Sequence, residues 1–178
     1  MEKNLKVRLV SYSQPAGEIE GLHNVEDLVA YCARVSNPSN QLNSETSGRL
    51  LNYLAKHKHW SPFEMASACL EIETTRDIAR QILRHRSFSF QEFSQRYADP
   101  VNELDFVFRP ARMQDPVNRQ NSIVVDDNDL QREWVTHQDR VISVAKDAYR
   151  WAIENGIAKE QARSVLPEGN TVSRLYMN

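Results

Sequence analysis

The sequence predicts an α+β fold, and three observations predict it. Short runs alternate with a two-residue period, which is the spacing of strands with one buried face: Leu5-Val7-Leu9, Ala68-Leu70-Ile72 and Phe106-Phe108. Other runs step by three and four, the spacing of amphipathic helices, and one of these, from about Asp127 to Asn155, is long. The two kinds interleave with no internal repeat, low-complexity run or linker, so the 178 residues read as one domain, large enough to bury a core without disulfides or a metal.

Taken in order, Leu5, Val7 and Leu9 alternate with Lys6 and Arg8 as a first strand. Asn24 has the chemistry of an N-cap, with Glu26 and Asp27 in the first turn where the helix dipole favours negative charge; Val25, Leu28, Val29, Cys32 and Val35 form the inner face. Asn37-Pro38 closes that helix. A second helix is expected over 46–56, with Leu50, Leu51 and Leu54 inward, and a proline-bounded turn at 57–64 anchored by Trp60 and Phe63. Ala68, Leu70 and Ile72 against Cys69, Glu71 and Glu73 make an amphipathic strand. Thr74 or Thr75 then caps a helix running to Leu83, with Asp77 in its first turn and Ile78, Ala79, Ile82 and Leu83 inward. A short helical stretch is expected over 92–97, ended by Asp99-Pro100, and a strand over 106–109. The segment 113–125 is polar and turn-rich, without a clear period. On the long helix Leu130, Trp134, His137, Val141, Ala145, Ala148 and Ala152 share a face, and Gly156 supplies the stop. A helix over 158–165 ends before Pro167, and Val172 to Met177 reads as a closing strand.

The formal charge is −2, from 22 basic and 24 acidic residues, so no bulk field draws the chain to nucleic acid or to a membrane. Arginine outnumbers lysine 16 to 6, a bias toward planar, bidentate recognition of anions. Cys32 and Cys69 fit no metal or redox spacing, and there is no apolar leader or spanning segment; a cytoplasmic setting is the expectation. His57 and His59 lack the further ligands a metal site needs, and no metal is expected. The five glycines form neither GxGxxG nor a P-loop, so an anion here must be held by arginine side chains and local N–H groups.

The chemistry concentrates in Arg84-His85-Arg86-Ser87-Phe88-Ser89-Phe90-Gln91-Glu92-Phe93-Ser94-Gln95-Arg96-Tyr97. Guanidinium forks match phosphate two bonds at a time, hydroxyls add recognition of acceptors, and aromatic faces take a flat ring, which together describe a nucleotide. A solvated arginine face over a buried phenylalanine stripe has the same composition. Gln81 and Arg84 are three apart on the preceding helix and Arg80 and Arg84 four, so that helix is expected to aim Arg84 and Arg86 into one pocket.

Arg84-His85-Arg86, with Ser94 and Arg96 following at fixed offsets, Gln81 three residues before and Glu92 inside, resembles the signature of the flavin-dependent thymidylate synthases, the ThyX family. Two further segments resemble the same family: His59-Trp60-Ser61-Pro62-Phe63-Glu64 and Ala162-Arg163-Ser164-Val165-Leu166-Pro167. The resemblance implies a central, mostly antiparallel sheet flanked by helices including the long one. It implies that Gln81, Arg84, Glu92, Ser94, Gln95, Arg96 and Arg163 hold dUMP, and that His59, Ser61, Glu64, Arg84, His85, Arg86 and Glu92 meet FAD. The implied reaction is methylation of dUMP to dTMP. Methylenetetrahydrofolate is the carbon donor, NADPH the reductant, and no covalent nucleophile comes from the enzyme; Arg84 and Arg163 stabilise developing charge. Neither cysteine sits in an activating environment, which is compatible. A homotetramer with shared active sites is implied, and apolar Trp151 and Ile153 beside the main stripe of the long helix are consistent with it. Family chains usually continue past the Val-Leu-Pro segment into a helix carrying further flavin-site and pyrimidine-site residues, so the 178-residue chain is expected to bind flavin weakly and turn over poorly. The competing reading is a non-catalytic nucleotide- or single-stranded-RNA-binding module built on the same arginine and aromatic cluster.

Overall fold

The computed structural model describes residues 6–178, and the chain divides into two compact units, Arg8–Leu70 and Glu71–Met177, with residues 6–7 grouped with the second. Leu5 of the expected first strand lies outside the described residues.

In the smaller unit β1 (Lys6–Tyr12) lies beside β2 (Ala68–Thr75) where that strand begins. Every described residue of β1 is exposed, Val7 at 66% and Leu9 at 58%, so the expected buried face is not formed within the chain. Helix α1 (Val25–Ala33) starts as its cap dictates: Asn24 Oδ1 accepts from Asp27 N at 2.9 Å. Asp27 itself is buried and accepts from Ser47 Oγ at 3.1 Å and His23 N at 3.2 Å, which ties α1 to the start of α2 (Ser47–Lys56). Arg34 adds a second tie, donating to Asn43 O at 2.6 Å and Thr46 Oγ1 at 2.8 Å. The helix ends at Ala33, so Val35 lies beyond it and is exposed. Ser61–Met65 forms a 3₁₀ turn with Pro62 in its first positions. Trp60 is 57% exposed, against the expectation that it anchors the core.

In the larger unit β2, β6 (Val172–Met177) and β3 (Phe90–Glu92) are neighbours in that order, with β3 antiparallel to β6 in the register Glu92↔Leu175. The expected inside-outside alternation of β2 fails because Glu71 and Glu73 face partners on β6. Tyr176 donates to buried Glu71 at 2.8 Å, and Arg174 reaches Glu73 at 2.8 and 3.1 Å. Helix α3 (Arg76–Ile82) follows β2 directly. Its first N–H groups donate to Thr171 O and Glu168 O, so the loop between Pro167 and Thr171 caps it from outside.

The 92–97 segment is not a helix: β3 occupies its start and turns follow. Asp99-Pro100 begins a helix, α4 (Pro100–Glu103), rather than ending one, because Pro sits without cost at the first helical position and Asp99 Oδ1 accepts from Val101 N and Asn102 N. Arg112–Gln114 (β4) and Ser122–Val124 (β5) form a hairpin in the segment without a period. The 106–109 segment makes one bridge, Phe106 to Thr171, and otherwise no strand. Val107 N donates to the backbone carbonyl of Asn170 at 2.9 Å, and side-chain amides take much of the rest. Asn170 donates to Val107 O at 3.0 Å; Gln138 accepts from Arg109 N at 2.8 Å and donates to Arg109 O at 2.9 Å; Gln131 does the same for Ala111 at 2.8 and 3.0 Å.

Those glutamines lie on α5 (Asn128–Glu154), capped by Asp127 and ended before Gly156, whose positive φ of 77° suits glycine. The inward stripe of α5 is Gln138, Ile142, Ala145, Tyr149 and Ala152. Trp134, His137 and Val141 of the expected face are exposed instead. Tyr149 and Ala152 pack with Val101, Ala162 and Leu166, bringing in α6 (Lys159–Ala162) and the 3₁₀ turn Arg163–Val165 that follows it.

Candidate functional site

A cleft of about 310 Å³ opens in the larger unit, lined by Arg76 and Arg80 of α3, Gln95 of the turn after β3, and Arg163, Ser164, Leu166 and Glu168 after α6. Two segments distant in sequence thus bring three guanidinium groups to one place, and a third brings the Gln95 amide. Arg76 is the buried one, its side chain 7% exposed, because it follows β2 at the first position of α3 beneath β6. Burial pushes its pKa down, since a charged guanidinium gives up hydration there, while Glu92 and Glu168 act in the opposite sense. Both partners are at 3.5 Å, Nη1 to Glu92 Oε1 and Nε to Glu168 Oε1, so neither contact is short. Glu168 also pairs with Arg80 at 3.1 Å.

Gln95 is 3% exposed, and its Nε2 has no hydrogen-bond partner among the described residues. A buried amide nitrogen left unpaired costs about 1–3 kcal/mol, and such groups are rare in folded proteins. One beside a cleft with three arginines has the chemistry of a donor that a ligand completes.

A wider hollow of about 490 Å³ along α5 is lined by Arg109, Pro110, Ala111, Arg112, Met113, Leu130 and Trp134. Its best donor is already engaged: Arg109 bonds Asp77 at 2.7 and 2.9 Å, Thr75 Oγ1 at 2.6 Å and Gly169 O at 2.8 Å. That network seats the start of α3, and so Arg76, rather than offering a free cation.

Of the expected nucleotide residues, Gln95 and Arg163 line the cleft. Glu92 adjoins it through Arg76, with Ser173 Oγ donating to its Oε1 at 2.9 Å. Ser94 is half-buried and turns the chain, its carbonyl accepting from Tyr97 N and Ala98 N. Gln81, Arg84 and Arg96 are exposed and do not line the cleft. Arg84, His85 and Arg86 lie in turns just past α3 and all face solvent; the expectation that α3 aims Arg84 and Arg86 into one pocket is not met within a single chain. The physical reason is that α3 ends at Ile82, so these side chains leave the helix before it can direct them. Beside them His85, Phe88 and Phe90 stand edge to face, with ring centroids 6.0 and 6.4 Å apart. In the smaller unit His59, Ser61 and Glu64 are exposed around the 3₁₀ turn, and the Trp60 and Phe63 rings lie tilted at 52° with centroids 6.0 Å apart.

Sequence reasoning missed Arg76, Ser164, Glu168 and Ser173. A signal for Arg76 was present: Arg76, Arg80 and Arg84 recur every four residues, a cationic row along one helix face.

An antiparallel sheet, a long helix and an arginine-lined cleft make this an α+β chain with a cationic cleft. The family model described as "Thymidylate synthase complementing protein" matches residues 19–178. A probable flavin-dependent thymidylate synthase of Paramecium bursaria Chlorella virus 1 is 47% identical over 174 residues, covering 98% of this chain and 78% of that protein. The flavin-dependent thymidylate synthase of a Synechocystis strain is 46% identical over 174 residues, 97% of this chain and 78% of the relative. Among solved structures, a UMP/dUMP methylase, PolB of Streptomyces cacaoi bound with 5-Br UMP, superposes with a TM-score of 0.76 at 28% identity, over 98% of this chain and 70% of its own. The chain belongs to the flavin-dependent thymidylate synthase family.

Proposed function

We propose that this protein, as one domain over residues 1–178, methylates dUMP to dTMP. In this reading methylenetetrahydrofolate is the carbon donor, reduced nicotinamide the reductant and FAD the cofactor, and no enzymic side chain attacks the substrate. One observation carries it: the buried, unpaired amide of Gln95 borders a cleft lined by Arg76, Arg80 and Arg163. Relatives named as flavin-dependent thymidylate synthases and a structural neighbour bound to a uracil nucleotide support the choice of nucleotide.

The residues divide the work by chemistry. Arg163, Gln95 and Glu92 hold dUMP at the cleft, with Gln81, Arg84, Ser94 and Arg96 completing its surroundings. A cation beside the pyrimidine stabilises negative charge as the ring becomes nucleophilic, the role given to Arg84 and Arg163. His59, Ser61, Glu64, Arg84, His85, Arg86 and Glu92 form the flavin side. The donor set fits such a group: exposed guanidiniums match a diphosphate, and the edge-to-face rings His85, Phe88 and Phe90 offer apolar edges to a planar heterocycle. When bound, the flavin supplies the hydride that completes the methyl group. Cys32 and Cys69 are half-buried, and neither lines the cleft.

The active unit in this reading is a homotetramer whose sites draw on more than one chain. Its support is the outer face of α5, where Trp134, His137, Val141, Val144, Ala148 and Trp151 recur at alternating three- and four-residue steps; Val144 is 69% and Trp151 60% exposed. That heptad-like row is the pattern by which one helix packs on another.

The test is titration of the purified protein with FAD and then dUMP, followed by absorbance and calorimetry. Flavin uptake with dUMP binding that weakens about 10- to 100-fold in Arg163→Ala supports the reading, since a hydrogen bond to a charged group contributes about 1.5–3 kcal/mol. No flavin uptake, no dUMP binding and salt-sensitive binding of oligonucleotides would overturn it in favour of a nucleic-acid module.

A further inference from the structure

We propose that Arg76 and Ser173 are positioning residues, which together hold one oxygen of Glu92 so that the other is presented to the bound nucleotide. The inference rests on the reading of Glu92 as a nucleotide-site residue and goes beyond it by naming what orients the carboxylate.

Oε1 of Glu92 accepts from Ser173 Oγ at 2.9 Å and lies 3.5 Å from Arg76 Nη1. The two donors come from separate elements, Ser173 from β6 and Arg76 from the first position of α3, and converge on the same atom. Oε2 has no hydrogen bond or ion pair among the described residues. An ionised carboxylate is acceptor-only, with about four lone-pair sites, so one oxygen is tied down and the other remains an acceptor for an N–H of the ligand. An imide N–H of a uracil-type ring is the matching donor.

Both holders are themselves immobilised. Ser173 is fully buried, at 0% exposure, in a strand paired with β3, the strand on which Glu92 lies. Arg76 is 6% exposed, its backbone N–H donates to Thr171 O at 2.9 Å, and its Nε faces Glu168. A carboxylate 18% exposed, between a rigid strand hydroxyl and a buried cation, has little freedom to turn. Since Arg76 also lines the cleft, the same guanidinium joins the carboxylate to the nucleotide site.

The experiment is a double-mutant cycle read by dUMP affinity in the FAD-loaded protein: wild type, Ser173→Ala, Glu92→Ala and the double variant, with Arg76→Lys as a second probe of the same oxygen. Ser173→Ala should weaken dUMP binding about tenfold in the wild-type background and change it less than about twofold when Glu92 is absent, because the hydroxyl acts only through that carboxylate. Arg76→Lys keeps the charge but loses the fork, and should show the same dependence on Glu92. Equal losses in both backgrounds mean a structural role and overturn the proposal, as does unchanged affinity in Ser173→Ala and Arg76→Lys. Should Glu92→Ala bind too weakly to titrate, thermal unfolding of the same four proteins replaces affinity, and additive melting shifts overturn the proposal. A wild-type protein that binds no dUMP overturns the site reading itself, an outcome separate from one in which wild type binds and the variants match it.

Discussion

Replacing Gln138 by leucine tests the claim that side-chain amides stand in for a missing strand. Gln138 is 5% exposed and makes three good hydrogen bonds: Arg109 N at 2.8 Å and Asn170 Nδ2 at 2.9 Å to its Oε1, and its Nε2 to Arg109 O at 2.9 Å. Leucine matches the volume closely but makes none of them, leaving the Arg109 N–H and C=O without partners, while Asn170 Nδ2 keeps its bond to Val107 O at 3.0 Å. At about 1 kcal/mol for each group, the loss is about 2 kcal/mol. For a chain of this length each kcal/mol lowers the melting temperature by roughly 2–4 °C, so the midpoint of thermal unfolding followed by circular dichroism should fall by about 4–8 °C. The effect should reach the cleft, because Arg109 holds Asp77 and Thr75 at the start of α3, where Arg76 begins. dUMP affinity should therefore weaken in folded Gln138→Leu at a temperature well below its melting point. A fall under about 2 °C would show that the 106–111 backbone is satisfied some other way, and the argument from amide pairing would be wrong.

Three further outcomes follow from other parts of the molecule. Tyr149 is 1% exposed with no partner for its hydroxyl among the described residues, and burial, with smaller contributions from Asp99 and Glu103, pushes its pKa up to about 12. The folded state thus holds this proton more tightly than the unfolded chain, so stability is full below about pH 10 and is lost as pH rises toward 12; Tyr149→Phe should keep its neutral-pH melting temperature and unfold at higher pH in alkaline titration. Val144→Asp on the exposed row of α5 should shift sedimentation velocity toward smaller species with little change in the circular dichroism of each chain, whereas unchanged sedimentation removes that row from the interface. Mixing Arg84→Ala with Arg163→Ala chains should recover about one quarter of dUMP sites if each site takes these arginines from different subunits, and none if both come from one.

The parts of this fold that were legible in the sequence are those fixed by local chemistry. Asn24, Asp127 and Gly156 each bound a helix where their side chain or backbone freedom says they should, and β6 spans Val172–Met177 as its pattern indicates. What could not be read depends on tertiary partners. Period-two alternation at 106–109 looks like a strand, yet side-chain partners of that segment are amides from residues 138 and 170, with residue 131 doing the same for Ala111, a substitution no local pattern announces. The long helix carries two adjacent apolar stripes, and hydropathy alone does not say which is turned to the chain's own core; Gln138 sits on the inward one because its amide is consumed there. At the site, Gln95 and Arg163 were legible only through resemblance, and Arg76 was hidden because an arginine at a helix start reads as a solvated one.

At the cleft and the end of α3, the separation between one buried arginine and several exposed ones has an energetic reason. A guanidinium buried without close partners is costly, so a chain can keep few of them; Arg76 is retained where two carboxylates, Glu92 and Glu168, stand 3.5 Å away and a loop caps its backbone N–H. Arg84, His85 and Arg86 need no such support while hydrated, and they remain at the surface at the end of α3. Cations left in water contribute little to folding but become strong once a second surface excludes that water, because the same charge then acts in a lower dielectric. A site assembled from an inner, prepaired arginine of the fold and outer arginines desolvated only when ligand or a neighbouring subunit arrives would therefore gain most of its affinity at the moment of assembly. It would also leave the isolated chain stable without either.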